Sequence, residues 1–165
     1  MTEALTAARI FDGVHLLEGM TVVIEAGVVK AIVPQGSVAA RDLGDVILMP
    51  GFVDIQVNGG GGVLFNNDIS LEGIKTICAA HRKLGTAWLL PTLITDTADN
   101  TAKAIEAGVA AQRENVPGFA GLHLEGPHLS VTRKGAHDPD LIRQMEGSDL
   151  ARLLDAKERL ETLLV

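Results

Sequence analysis

Cysteine occurs once in these 165 residues, as Cys78, so an internal disulfide framework is excluded and a reducing compartment is implied. Tyrosine is absent, and tryptophan occurs once. Basic residues are outnumbered, 14 against 21 acidic, and no Lys/Arg-rich run offsets the formal charge of −7. That balance excludes a general nucleic-acid binder. No apolar run reaches the ~18 residues that a membrane helix needs. The opening MTEALTAARIFDG has neither the basic start nor the apolar core of a signal peptide. What is present is 47% hydrophobic residues and 18 glycines, four of them together at 59–62. The composition describes a cytoplasmic α/β chain with no membrane or nucleic-acid partner.

The first 48 residues read as β structure. Ala8–Phe11 precedes the turn signal Asp12-Gly13. Met20–Glu25 and Val28–Val33 flank Ala26-Gly27, which predicts a hairpin, and Asp45–Met49 reads as a further short strand. His15 reads as a surface or packing residue. So few residues of strand do not bury a core alone.

Pro50-Gly51 marks a change to strand–loop–helix units. Phe52–Asn58 is predicted as a strand with Asp54, Gln56 and Asn58 on one face and Val53, Ile55 and Val57 on the other. It enters the tetraglycine, where backbone can approach a ligand. Ser70 caps a helix closed by Gly85, and Cys78 and His81 lie on its apolar stripe as packing residues. Trp88–Thr95 reads as a second strand, 98–112 as a helix after Thr97, and Phe119–Glu125 as a third strand. Asp138-Pro139 looks like an N-cap with proline at the first helical position. Ser148 is expected to cap a longer helix to about Glu161. The closing Leu160–Val165 reads as a fourth strand that has only begun, so the chain is expected to be incomplete. Alternating strands and helices predict a parallel sheet.

The stretch Gly121–Ser130 carries the chemistry. His123 and Glu125 share one face of a strand too apolar to be solvated, and such groups need partners or a metal. Glu125 stands at the strand's carboxyl end before the Gly126-Pro127 break, where parallel α/β folds keep their chemistry. In a closed barrel Asp54, Gln56, Asn58, His123 and Glu125 converge on the axis. Asp54 and His123 read equally as a hydrogen-bonded polar plug or as part of a site. His128 and His137 flank a loop with Arg133 and Lys134 that suits an anionic or hydroxyl-rich ligand or is merely solvated. The tetraglycine lacks the Lys-Ser/Thr of a P-loop and the spacing of a dinucleotide fingerprint.

The run Met49-Pro50-Gly51-Phe52-Val53-Asp54-Ile55-Gln56-Val57-Asn58-Gly59 resembles the opening motif of the amidohydrolase superfamily. With Leu90–Thr95, His123-Leu124-Glu125-Gly126-Pro127 and Lys134-Gly135-Ala136-His137-Asp138-Pro139, the pattern is similar to one branch, the N-acetylglucosamine-6-phosphate deacetylases, over their amino-terminal portion only. The resemblance implies about three βα units of a (β/α)8 metal-dependent hydrolase barrel in 49–165. A small, incomplete β-sandwich segment in 1–48 would precede it. It also implies hydrolysis of a linear amide in amino-sugar catabolism, one divalent metal ion (zinc is expected), an amino-sugar phosphate as substrate and a homodimer at full length.

Carried over by position, Glu125 is the metal ligand and Gln56 contacts the metal-bound water. The Ala136 backbone and the His137 side chain bind the sugar. Asp54, Asn58 and His123 are polar support inside the barrel. Gln56 and Asn58 stand where many relatives have two histidines, which counts against a binuclear site. The family's two histidine ligands, catalytic aspartate and phosphate-binding arginine and histidine have no counterpart in this sequence. The chain alone is therefore expected to be inactive. Half of a split enzyme, or a non-catalytic remnant that binds sugars weakly, is the alternative.

Overall fold

The computed structural model describes residues 2–165. The chain divides into two compact units, one ending at Pro50 and one from Gly51 to Val165.

The first unit is all strand. One sheet has the order β5-β4-β1-β6, from β1 (Thr2–Thr6), β4 (Met20–Glu25), β5 (Val28–Pro34) and β6 (Arg41–Asp42). The other has the order β3-β2-β7, from β2 (Arg9–Phe11), β3 (Leu16–Leu17) and β7 (Ile47–Leu48). Both are mixed, since β1–β6 and β2–β7 pair in parallel and the rest antiparallel. Ala26 and Gly27 turn the β4–β5 hairpin with φ of 51° and 80°, the sign that a primed two-residue turn requires. The expected hairpin is there. Ala7, Ile10 and Val22 are the buried apolar residues, and an apolar hollow of about 340 Å³ opens between Leu5, Ile10, Val22, Ile24 and Ile32. So small a β layer encloses little core, as its length dictates.

The second unit is α/β. A parallel sheet runs β13-β12-β11-β8, from β8 (Phe52–Val57), β11 (Thr86–Ile94), β12 (Leu122–Glu125) and β13 (Leu163–Leu164). A two-stranded ribbon, β9 (Gly59–Gly60) with β10 (Val63–Leu64), follows β8. Helices α1 (Leu71–Arg82), α2 (Ala98–Arg113) and α3 (Gly147–Arg159) stand between successive strands of the sheet. Ser70 Oγ accepts the Gly73 amide at 3.0 Å and Thr97 Oγ1 the Asn100 amide at 3.2 Å, so both predicted caps start their helices. The core joins Phe65, Ile74, Ile77, Cys78, Leu89, Leu93, Ile105, Leu122 and Leu124. His81 packs as expected, its Nε2–H donating to the Gly59 carbonyl at 2.9 Å. β8 is an edge strand, with Val57 buried while Val53 and Ile55 are more than half exposed.

Three local expectations fail. No helix starts at Pro139: Asp138 Oδ1 accepts the Asp140 amide at 2.9 Å, closing an Asx turn that competes with a helical first turn. Glu146, not Ser148, is the cap of α3, and its amide donates to Asp149 Oδ2 at 3.0 Å. The third strand begins at Leu122. Before it the ladder is reduced to a bridge between Leu89 and Phe119, and Gly121 takes a φ of 148° where a side chain would strike Thr162.

Candidate active site

The carboxyl ends of β8 and β12 open into a cavity of about 660 Å³. β8 sends Gln56 into its wall, with Asn58 just beyond the strand, and β12 ends in Glu125. The loop after β12 supplies Arg133, Lys134, Ala136 and His137. Residues far apart in sequence are thus gathered by the parallel register, in which Ile94 lies opposite Glu125 and Pro91 opposite Val57.

Glu125 is the centre of the arrangement. Gln56 Nε2 donates to its Oε2 at 2.8 Å, and His137 Nε2 lies 3.4 Å from its Oε1. The Thr95 amide donates to His137 Nδ1 at 3.4 Å, and Thr95 Oγ1 is 2.7 Å from the same nitrogen. A nitrogen that accepts an amide hydrogen carries no proton of its own, so neutral His137 holds its proton on Nε2, facing Glu125. Gly126 makes room for this contact. Its φ is 99°, and a Cβ there would run into the Thr95 hydroxyl.

Asp54 and His123 do not line the cavity. Asp54 Oδ1 accepts the amide of Gln56 at 3.1 Å, within its own strand. His123 Nδ1 lies 3.3 Å from Thr92 Oγ1, which also accepts the Val57 amide at 2.9 Å and donates to the Leu90 carbonyl at 3.1 Å. Thr92 therefore ties β8, β11 and β12 together beneath the site. His128, expected to flank the Arg133–Lys134 loop, sits outside the cavity with Nδ1–H donating to the Arg143 carbonyl at 3.1 Å. Two contributors escaped the sequence reading. Thr95 orients His137. Asn66 lines the cavity, accepts the Ile94 amide at 3.1 Å and donates to Asp96 at 2.9 Å. Thr95 ends a quoted motif, but nothing in that motif marks its hydroxyl; Asn66 lies in no motif.

Among the described residues no group of three or more His, Cys, Asp or Glu side chains is placed to hold a metal ion. A catalytic zinc takes about three protein ligands. Glu125 is the one carboxylate in this cavity wall, and both its oxygens already face donors. These residues do not complete a metal site by themselves.

The family model described as the NagA composite domain matches residues 4–42. The N-acetylglucosamine-6-phosphate deacetylase of Haemophilus influenzae is 33% identical over 149 residues, covering 88% of this chain and 39% of that protein. The crystal structure of N-acetylglucosamine-6-phosphate deacetylase from Pasteurella multocida superposes with a TM-score of 0.91 at 30% identity. It covers 99% of this chain and 44% of its own. The chain belongs to the N-acetylglucosamine-6-phosphate deacetylase family. An N-acetylgalactosamine-6-phosphate deacetylase of Shewanella sp. (strain ANA-3) is 47% identical over 96 residues, which is 58% of this chain and 24% of that protein. The chain therefore spans less than half the length of these deacetylase relatives. Among the described residues no helix is long and apolar enough to cross a membrane.

Proposed function

We propose that this chain forms the Glu125 side of the active site of an amino-sugar-phosphate deacetylase, within the first strands of a (β/α)8 barrel. The overall reaction is hydrolysis of the 2-acetamido group of N-acetylglucosamine 6-phosphate. Water oxygen adds to the acetyl carbonyl carbon, the carbon–nitrogen bond breaks, and the amine leaves with a proton, giving glucosamine 6-phosphate and acetate. The observation that carries this reading is the Gln56–Glu125–His137 contact, which joins three quoted motifs at the carboxyl end of a parallel sheet.

In this reading Glu125 is one ligand of a divalent metal, zinc being expected, and the remaining ligands lie outside residues 2–165. A metal held there by Glu125 would supply Lewis-acid polarisation of the acetyl carbonyl. Gln56 addresses the attacking water, and the Ala136 backbone and His137 hold the sugar. Asp54, Asn58 and His123 support the strands from below and beside the cavity.

The glucosamine configuration is supported by the Haemophilus influenzae and Pasteurella multocida deacetylases. The galactosamine epimer is the second reading, favoured by the 47% identity to the Shewanella enzyme.

A titration followed by two-dimensional NMR tests both. N-acetylglucosamine 6-phosphate should shift resonances of Gln56, Ala136 and His137, and a larger response to the galactosamine isomer would select the second reading. No response to either sugar sinks the assignment. The purified chain should release no acetate from either, because its ligand set is incomplete; measurable release would show that Glu125 and its neighbours suffice.

A further inference from the structure

Outside the cavity, one ionic cluster stands apart from the rest of the surface. Asp149, in the first turn of α3, is 4% exposed, yet it gathers four polar partners. Arg143 grips both carboxylate oxygens through its two terminal nitrogens, Nη2 at 2.6 Å from Oδ1. Arg152 Nη1 reaches Oδ1 at 3.2 Å, and the Glu146 amide reaches Oδ2 at 3.0 Å. His128 Nε2 stands 3.9 Å from Oδ2.

The partners matter because of where they lie. His128 and Pro127 open the loop that follows β12, and Arg143 and Glu146 close it. The Arg143 amide donates to the Pro127 carbonyl at 3.2 Å, and His128 donates to the Arg143 carbonyl at 3.1 Å. The two ends of the loop are thus bonded to each other, and the Arg143–Glu146 end is anchored on Asp149. Between those ends lie Ala136 and His137, in a segment with little regular structure beyond the single turn Val131–Arg133. A loop of this length without secondary structure is fixed by its ends and by the few contacts along it.

We propose that Asp149 is a positioning residue for the substrate side of the site. It closes a clasp across residues 126–146 that sets where His137 stands against Glu125. The inference rests on the proposed placement of the sugar at Ala136 and His137. The bidentate fork is the part that resists substitution, since a lysine at 143 keeps the charge and loses the second bond. His137 is hydrogen-bonded or ion-paired to Thr95, Lys134 and Glu125 and to neither Asp149 nor Arg143, so its response reports the loop and not a lost bond of its own.

The test uses the whole chain with Asp149→Asn, Asp149→Ala and Arg143→Lys. Trypsin should cut after Arg133 and Lys134 about tenfold faster in Asp149→Ala, the order expected when a buried charge-assisted pair is lost. Arg143→Lys, the milder change, should lie between it and the wild type and serves if Asp149→Ala fails to fold. Amide exchange should rise across 128–138. The ring resonances of His137 should move while those of His81, bonded to the Gly59 carbonyl, stay fixed. If exchange rises only in the first turn of α3, with cleavage and the His137 ring unchanged, Asp149 is a helix cap and the proposal is overturned. Neither readout uses a sugar, so failure here is separate from failure of the deacetylase reading.

Discussion

Single atoms decide whether the His137 contact exists. Thr95 Oγ1 fits beside His137 Nδ1 because residue 126 has no side chain. Gly126→Ala combines a positive φ with a collision at Thr95 and should cost about 1–3 kcal/mol. The check is the urea midpoint, accompanied by a shifted His137 ring signal. Thr95→Val keeps the shape and leaves the imidazole nitrogen with one partner fewer, at about 1 kcal/mol by the same measurement. Cys78 belongs to the core, where burial pushes its thiol up to about 11. Alkylating reagents at neutral pH should therefore modify it only in denaturant, as mass spectrometry would show; rapid labelling of the folded chain would contradict that burial.

Helices in this unit are joined by side chains that reach across element boundaries. Gln112 near the end of α2 donates to the Arg159 carbonyl at 3.2 Å and accepts the Glu161 amide at 2.8 Å. One amide thus satisfies the exit of α3 and the entry to β13. Gln112→Ala should lower stability by about 1–2 kcal/mol and speed exchange at 161–164 ahead of the rest of the sheet. Lys75 links Glu72 on its own helix to Glu114 beyond α2, both at the surface, and its loss should change little.

The clasp adds a pH dependence at this scale. The Arg143 fork and the Glu146 amide hold Asp149's carboxyl well below the usual carboxylate range. Its contribution is complete above about pH 5, where an unfolded aspartate is ionised, and is lost progressively as the pH falls through about 4 and below. Melting curves from about pH 6 to about pH 2 should show Asp149→Asn losing less stability on acidification than the wild type.

For the molecule as a whole, the sequence and the structure agree best where a pattern repeats. The strand–helix alternation, the Ser70 and Thr97 caps and the Ala26-Gly27 turn are local signals, and each element stands where those signals put it. Gln56 and Glu125 share a site because strand alternation fixes which face each occupies, and parallel pairing then aligns the ends. The misses have a different origin. Asp138-Pro139 carries a helix-start signal, but its carboxylate is satisfied by its own turn. The Arg143–Asp149 clasp links a loop residue to a helix residue six positions on, a spacing with no helical or strand period behind it. Tertiary polar contacts of that kind leave no rhythm in a sequence.

The strand order of the second unit bears on how the chain is made. In β13-β12-β11-β8, every strand of the sheet pairs with the one before it in sequence. Each of these pairings closes over one strand–helix unit. On a ribosome, β8 and β11 meet around α1 as soon as Ile94 has emerged, and each later unit adds to an edge that already exists. Protease protection of stalled nascent chains should therefore grow stepwise, with one increment per strand–helix unit.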